Sequence, residues 1–292
     1  MRHLVIVNPR AGRGRRGRSM DRLRRALEEA GLDARIETTR GPGHATELVA
    51  TETERSPVVV VVGGDGTLHE TIQGLDLEHQ RLGVIPWGTG NDFAYAHHWP
   101  LDPGSCLARI ARGAERRVDV GIWAGDGAGG RFHNSVGLGF EALVNQASHR
   151  ITRIHGPLVY VAALLGTLPR FRSYPVRIQW ATGAFTGEVS LLSAANGPRV
   201  GGCFHLAPDA DPADGLLDLV HAGPFGRLRA MTLLPGLLSG AHRRSPRIQT
   251  ARARDFTIQA GEPIPVYVDG EFAGPGFRSL RLRVEPGGLR TF

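Results

Sequence analysis

Residues 58–70, VVVVVGGDGTLHE, decide the fold. Five consecutive valines suit a strand covered on both faces, because β-branched side chains pack well on a pleated surface and no polar residue interrupts the run. The run stops at Gly63-Gly64-Asp65-Gly66-Thr67, after which Leu68, Ile72 and Leu75 recur at helical spacing. A buried strand that passes through glycines into a helix puts the helix's first N–H groups at its positive end, which is a natural cradle for phosphate. Glycine lets the main chain approach an anion closely. Asp65 adds a carboxylate where a phosphate-bound metal ion would sit. The plainer reading is a tight strand–helix turn with an aspartate beside the helix start, and the neighbouring segments decide between the two.

Working outward, residues 3–7 (HLVIV) read as a buried strand that Asn8-Pro9-Arg10-Ala11-Gly12 turns away from. Leu23, Ala26, Leu27 and Ala30 follow at helical spacing, with Ser19 as N-cap and Gly31 as stop. Residues 34–38 read as a second strand, Ala45, Leu48 and Val49 as a second helix, and residues 82–85 as a fourth strand closing on Pro86-Trp87-Gly88-Thr89-Gly90-Asn91-Asp92. This alternation predicts a parallel sheet with helices on both faces and ligands bound beyond the strands' carboxyl ends, where all three glycine-bearing turns converge. After Asp119-Val120-Gly121 the pattern changes to short strand candidates at residues 132–139, 176–180, 189–193, 216–220, 256–259, 266–268 and 280–284, with helical patterns at 157–168 and 228–238. The expected organisation is an α/β nucleotide-binding domain over residues 1–122. A mainly antiparallel β domain over 123–292 follows, its last strand or tail free to return to the first.

Composition narrows the function. At 292 residues, 41% hydrophobic and 22% charged, the chain has the make-up of a soluble globular protein. No apolar run is long enough to span a bilayer, and the N-terminus reads as a strand rather than a signal peptide. Cys106 and Cys203 belong to no CxxC pair, so a reducing cytoplasm is expected and neither a disulfide framework nor a structural zinc site is. The formal charge is +7, and every basic side chain is arginine. Without lysine, neither a Walker-type phosphate loop nor a protein kinase is possible. The arginine bias fits genome base composition as well as it fits binding to anionic lipid head groups or nucleotides. Nucleic acid is not an expected partner, since no helix-turn-helix, RNP or zinc-finger pattern accompanies the charge. The histidines are scattered and read as structural.

Gly12-Arg13-Gly14-Arg15-Arg16-Gly17 matches GxGxxG, with Glu37 near the place of a ribose-binding acid. A dinucleotide fold, however, puts its glycines directly after the strand, whereas here Asn8-Pro9 intervenes, and it leaves GGDGT unexplained. More specific is the series NPRAG (8–12), GGDGT (63–67), GTGND (88–92), Asp119-Val120-Gly121, NSVGLG (134–139), APDADPADGLL (207–217) and Asp269-Gly270-Glu271. In that order and over nearly the whole chain, it resembles the diacylglycerol kinase and sphingosine kinase superfamily of lipid kinases, and most closely its soluble bacterial diacylglycerol kinase-like members. One departure is Gly201-Gly202-Cys203, where relatives often carry a third glycine.

The resemblance implies an ATP- and Mg²⁺-dependent transfer to a lipid alcohol, most simply diacylglycerol giving phosphatidic acid. It places Asn8, Gly12, Thr39, Gly63, Gly64, Asp65, Gly66, Thr67 and Thr89 at the nucleotide, with Thr38 equally suited to the role of Thr39. Asp65 and Asp92 would act on the catalytic magnesium, although Asp92 could instead cap the helix that follows. Glu271 would be the base that takes the acceptor's proton, facing a cleft from the second domain, while Asp269 supports the turn. A structural magnesium would take the Asp214 carboxylate and the carbonyls of Asp211 and Leu216, with Asp119 hydrogen-bonded to its shell. A metal-free Asp-Gly turn is the alternative. Residues 157–168 (PLVYVAALLGTL) are apolar enough to line an acyl-chain cleft, or to form an ordinary buried helix. Peripheral contact with an anionic membrane from the cytoplasm is expected. The oligomeric state is open, a dimer among the options. Competing functions are a kinase for a sphingoid or NAD-type acceptor, or a silent lipid-binding or regulatory module.

Overall fold

The computed structural model describes residues 2–14, 19–52, 56–151 and 158–292. The chain divides into two units, Met1–Val120 with Pro286–Phe292, and Gly121–Glu285. In the first unit the elements are β1 (His3–Val7), α1 (Ser19–Glu29), β2 (Ala34–Thr38), α2 (His44–Thr51), β3 (Val58–Gly63), α3 (Asp65–Gly74), β4 (Arg81–Pro86), α4 (Asp92–Ala96) and α5 (Pro103–Arg112). β5 (Arg116–Gly125) then carries the chain from the first unit into the second.

The strand order β4-β3-β1-β2 is parallel throughout, with the valine run in the interior, as the alternation predicts. All five valines are at most 2% exposed. Full burial of a side chain of this size contributes on the order of 1.5–3 kcal/mol over leaving it in water. The helices pack in pairs, α1 with α5 and α2 with α3. Gly74 makes the second pairing possible, because a β-carbon there would lie 2.3 Å from the Thr46 carbonyl oxygen. Ser19 is the first helical residue of α1 rather than a residue outside it. Asp102 caps α5, its carboxylate accepting from Ser105 N at 2.8 Å, with Pro103 at the first helical position. Residues 286–292 complete this unit. Leu289 and Phe292 join its core, and Thr291 pairs with Leu82 and donates its hydroxyl to the Leu82 carbonyl at 2.7 Å.

The second unit contains β6 (Ala128–Phe132), β7 (Ser135–Gly139), α6 (Phe140–Arg150), α7 (Leu158–Thr167), β8 (Tyr174–Trp180), β9 (Gly183–Val189), β10 (Leu191–Ala195), β11 (Leu217–Ala222), α8 (Arg227–Ser239), β12 (Ile248–Ala253), β13 (Asp255–Val268) and β14 (Glu271–Thr291). Its main sheet runs β12-β11-β10-β7-β13-β14, with β8 and β9 branching from β13, and all its pairings are antiparallel. The core is built from inward residues such as Phe132, Leu138, Phe256, Val266 and Leu282.

Three strand expectations need correcting. Residues 132–139 are not one strand, since His133 and Asn134 leave the ladder between β6 and β7. Residues 189–193 span the end of β9 and most of β10. Residues 256–259 and 266–268, read as two strands, belong to β13 alone, which passes Gly261 and Pro263 through register shifts between Gln259, Ile264 and Val266. Bulges of this kind are where a sheet accommodates proline.

Candidate active site

Because β1, β3 and β4 are parallel and in register, their carboxyl ends coincide, Val7 opposite Val62 and Gly63 opposite Pro86. The three glycine-bearing turns therefore emerge side by side in the first unit, and hydrogen bonds lock them together. Asn8 Nδ2 donates to Thr67 Oγ1 at 2.9 Å, and Asn8 N donates to the Val62 carbonyl at 3.1 Å. Trp87 N donates to the Gly63 carbonyl at 2.7 Å. Gly64 and Gly88 touch, so that a β-carbon on Gly64 would lie 2.9 Å from Gly88 Cα, and one on Gly88 would lie 2.5 Å from Gly64 Cα. Neither position can carry a side chain without separating the turns. Asn91 holds the third turn with φ 51°, its Oδ1 accepting from Gly88 N at 2.8 Å and its Nδ2 donating to the Gly88 carbonyl at 3.1 Å. Beneath them is a void of only about 10 Å³, lined by residues including Gly63, Gly64 and Phe93.

Asp65 opens α3, and its Oδ1 accepts from Asp92 N at 2.8 Å and Phe93 N at 3.4 Å. The carboxylate that caps α4 is thus that of Asp65. Asp92 is the helix's first residue and is buried, so the cap role considered for it falls to its neighbour. Among the described residues Asp65 Oδ2 accepts no hydrogen bond, which leaves one hard oxygen beside the start of α3. The N–H groups of Asp65, Gly66 and Thr67 precede that helix's first bond, from Leu68 N to the Gly64 carbonyl at 3.1 Å. A carboxylate oxygen next to a helix N-terminus fits a phosphate-bound magnesium ion. Thr39 is half-buried, with its N–H donating to the Val7 carbonyl at 2.9 Å, whereas Thr38 is exposed. Gly12 has φ 58° and lies in a short 3₁₀ turn tied back to Asn8, and Thr89 is exposed in the third turn. Arg15, Arg16 and Gly17 of the GxGxxG match lie outside the described residues.

In the second unit, Val268 pairs with Glu271, so Asp269 and Gly270 form a two-residue hairpin loop with φ 50° and 97°. Both central residues at positive φ define the type I′ turn that Asp-Gly favours. Asp269 is 5% exposed, and its carboxylate accepts three main-chain N–H groups, His133 at 2.9 Å, Asn134 at 2.8 Å and Ser135 at 3.0 Å. The first two leave the ladder between β6 and β7 and the third opens β7, so one carboxylate satisfies the break in the sheet and fixes the turn. Glu271 opens β14 with its side chain exposed. The Tyr267 phenol is raised by burial and then by the Glu271 and Tyr160 side chains, which keeps it a protonated O–H.

The 211–216 loop is closed by its own contacts. Asp214 Oδ1 accepts from Leu216 N at 2.9 Å, its Oδ2 accepts from the Arg252 guanidinium, and the Asp211 carbonyl accepts from Asp214 N at 3.3 Å. Among the described residues no group of three or more His, Cys, Asp or Glu is placed to hold a metal. A cation here would have to displace a guanidinium from the one carboxylate offered to it, so the residues present do not fit the structural magnesium.

Sequence reasoning passed over Glu141, in the first turn of α6. Its carboxyl lies against Gly137, where a β-carbon would be 2.7 Å from Glu141 Cδ, and its Oε2 is buried without a hydrogen-bond partner. Burial pushes this carboxyl up from 4.5 to about 7, with Ser193 acting weakly the other way. The only sequence signal was an acidic residue following a glycine-rich strand. Between those two values the folded protein holds a proton that the unfolded chain has lost, so this contribution is full below pH 4.5 and is lost as pH rises through 7. Glu141→Gln is therefore expected to be more stable than wild type at pH 8 relative to pH 5, by on the order of 3 kcal/mol at most. Urea midpoints at the two pH values check this, and identical pH dependence in both proteins would put the carboxyl in contact with water.

Both units have known counterparts. A family model described as the diacylglycerol kinase catalytic domain matches residues 2–123, and one described as the YegS C-terminal NAD kinase beta sandwich-like domain matches residues 134–292. The chain belongs to the diacylglycerol kinase family. It is accordingly a kinase of the lipid-kinase type. A protein named diacylglycerol kinase from Mycobacterium tuberculosis is 31% identical over 276 residues, covering 93% of this chain and 89% of the relative. One of the same name from Staphylococcus saprophyticus is 29% identical, covering 96% and 93%. The crystal structure of a diacylglycerol kinase from Bacillus anthracis superposes with a TM-score of 0.75 at 22% identity, covering 99% of this chain and 96% of that one. A further solved chain from that organism reaches 0.81 at 24% identity with the same coverage. At these identities the structures speak for the fold.

Proposed function

We propose that this protein transfers the γ-phosphoryl group of ATP to the free hydroxyl of diacylglycerol, giving phosphatidic acid and ADP. The observation that carries the reading is the interlocked trio of turns in a chain of this family, with Asp65 presenting one oxygen at the start of α3. The N–H groups of Asp65 and Gly66 and the backbone of Gly63, Gly64 and Thr67 bind the phosphates, with Asn8, Gly12, Thr39 and Thr89 around the nucleotide. In a lysine-free chain, backbone dipoles do this work; Asp65, assisted by Asp92, would hold a magnesium ion, which would supply further neutralisation of the phosphate charge. Glu271 takes the proton of the acceptor hydroxyl as its oxygen bonds to the γ-phosphorus and the β–γ bridging oxygen departs with ADP. Asp269 positions Glu271 by fixing the turn between them.

The acceptor reading is supported by α7, whose sequence LVYVAALLGT is mostly apolar and carries no charge, and whose Leu165 is 47% exposed. Among the described residues no helix is long and apolar enough to cross a membrane. We assign the protein to the cytoplasmic face of an anionic membrane, as a peripheral enzyme. The test incubates the chain with labelled ATP and a panel of diacylglycerol, sphingosine, NAD and no acceptor, and identifies the labelled product by mass spectrometry. Labelled phosphatidic acid is expected. Label in another product reassigns the acceptor, and none in any arm indicates a silent lipid-binding module.

A further inference from the structure

The family resemblance asks for a metal at the 211–216 loop, and the structure puts a side chain there instead. Arg252 lies on β12 directly opposite Asp218 on β11, so the sheet register itself delivers the guanidinium to the loop. Its Nε is 3.3 Å from Asp218 Oδ1, and its NH2 bonds Asp214 Oδ2. Both oxygens of Asp214 are thereby engaged, one by Leu216 N and one by Arg252. A second aspartate of the loop, Asp211, turns its Oδ1 back to Ala213 N at 3.1 Å. Asp218 is buried, and the Arg252 guanidinium is the cation that faces both it and Asp214. A divalent ion would have to expel the guanidinium or share the same oxygen with it, cation against cation. Magnesium, which wants near-octahedral oxygen ligands and gives up water reluctantly, is poorly suited to do so.

We propose that Arg252 is the resident cation of this loop, clamping Asp214 to Asp218, and that the loop takes no divalent metal ion. The inference concerns the loop alone and stands whichever acceptor the enzyme uses. It makes the second unit's architecture independent of magnesium, whose place in this chain is then with the nucleotide.

Thermal melts of the full chain without nucleotide test it, in excess EDTA and in excess magnesium chloride at matched ionic strength. The wild-type Tm is expected to be the same in both. Arg252→Met and Asp214→Asn should each lower it by roughly 2–4 °C, and the double variant no further than the larger single change, because either substitution opens the same clamp. A magnesium-dependent rise in the wild-type Tm that Asp214→Asn removes would overturn the proposal, as would additive effects of the two substitutions. A rise that survives Asp214→Asn belongs to another part of the chain and leaves the clamp standing. Should Arg252→Met fail to fold, the wild type and Asp214→Asn with and without magnesium decide the matter alone.

Discussion

Glu271→Gln is expected to reduce turnover by roughly 10²–10⁴-fold, the range over which a positioned general base contributes. The amide has nearly the shape of the carboxylate but cannot accept the acceptor's proton. The side chain is exposed at the start of β14, so the substitution costs the fold little. The turns proposed to bind ATP belong to the other unit, and ATP affinity should stay within about twofold of wild type, a difference of less than 0.5 kcal/mol. Calorimetric titration with ATP and a phosphatidic acid assay on the same preparation separate the two effects. Near-normal turnover would remove Glu271 from the mechanism and leave the proton to water.

Asp269→Ala should do more damage to the molecule as a whole. Three main-chain N–H groups, from His133, Asn134 and Ser135, lose a charged acceptor in a buried setting. Each orphaned donor costs about 1–3 kcal/mol, and since the three share one carboxylate the total is roughly 3–6 kcal/mol rather than a simple sum. Against a typical stability of about 5–15 kcal/mol this threatens folding at growth temperature. Asp269→Asn is the informative companion. Asparagine tolerates the positive φ and keeps one acceptor oxygen, so it should lose on the order of 1–3 kcal/mol and fold. Its turnover should still fall while its ATP affinity holds, because the turn that places Glu271 has loosened. Chemical denaturation and steady-state kinetics measure the two. A fully active, fully stable Asp269→Asn protein would show that the amide serves the turn as well as the carboxylate does.

Where the chemistry is local, sequence was a good guide. The valine run, its alternation with helical spacing, and the Asp-Gly loop at 269–270 each follow from a few adjacent residues, and the structure builds a parallel sheet and a hairpin there. Close approach is less legible. Nothing in GTGND says that Gly88 lies against Gly64, since that contact depends on two strands being neighbours in register. The same limit explains why a cap is an open alternative for Asp92 in the sequence although Asp65 provides it, and why β13 reads as two strands. Gly261 and Pro263 interrupt the local pattern, while pairing with β14 resumes beyond them at Ile264 and keeps the segment one strand. Arg252 and Glu141 were missed for a further reason. Their partners, Asp214 and Gly137, meet them through sheet pairing and a helix start, and isolated charged residues carry no periodicity to announce it.

The return of residues 286–292 to the first unit bears on how the protein is made. Translation supplies β1 to β4 early, yet Leu289, Thr291 and Phe292 reach the ribosome exit only after the whole of Gly121–Glu285 has been threaded out. At about 5–20 residues per second, that is a wait on the order of ten to thirty seconds. During it the nascent sheet keeps an uncapped strand at Leu82 and a gap in its packing. The half of the molecule that is born first thus waits for its last seven residues until the other half has been synthesised.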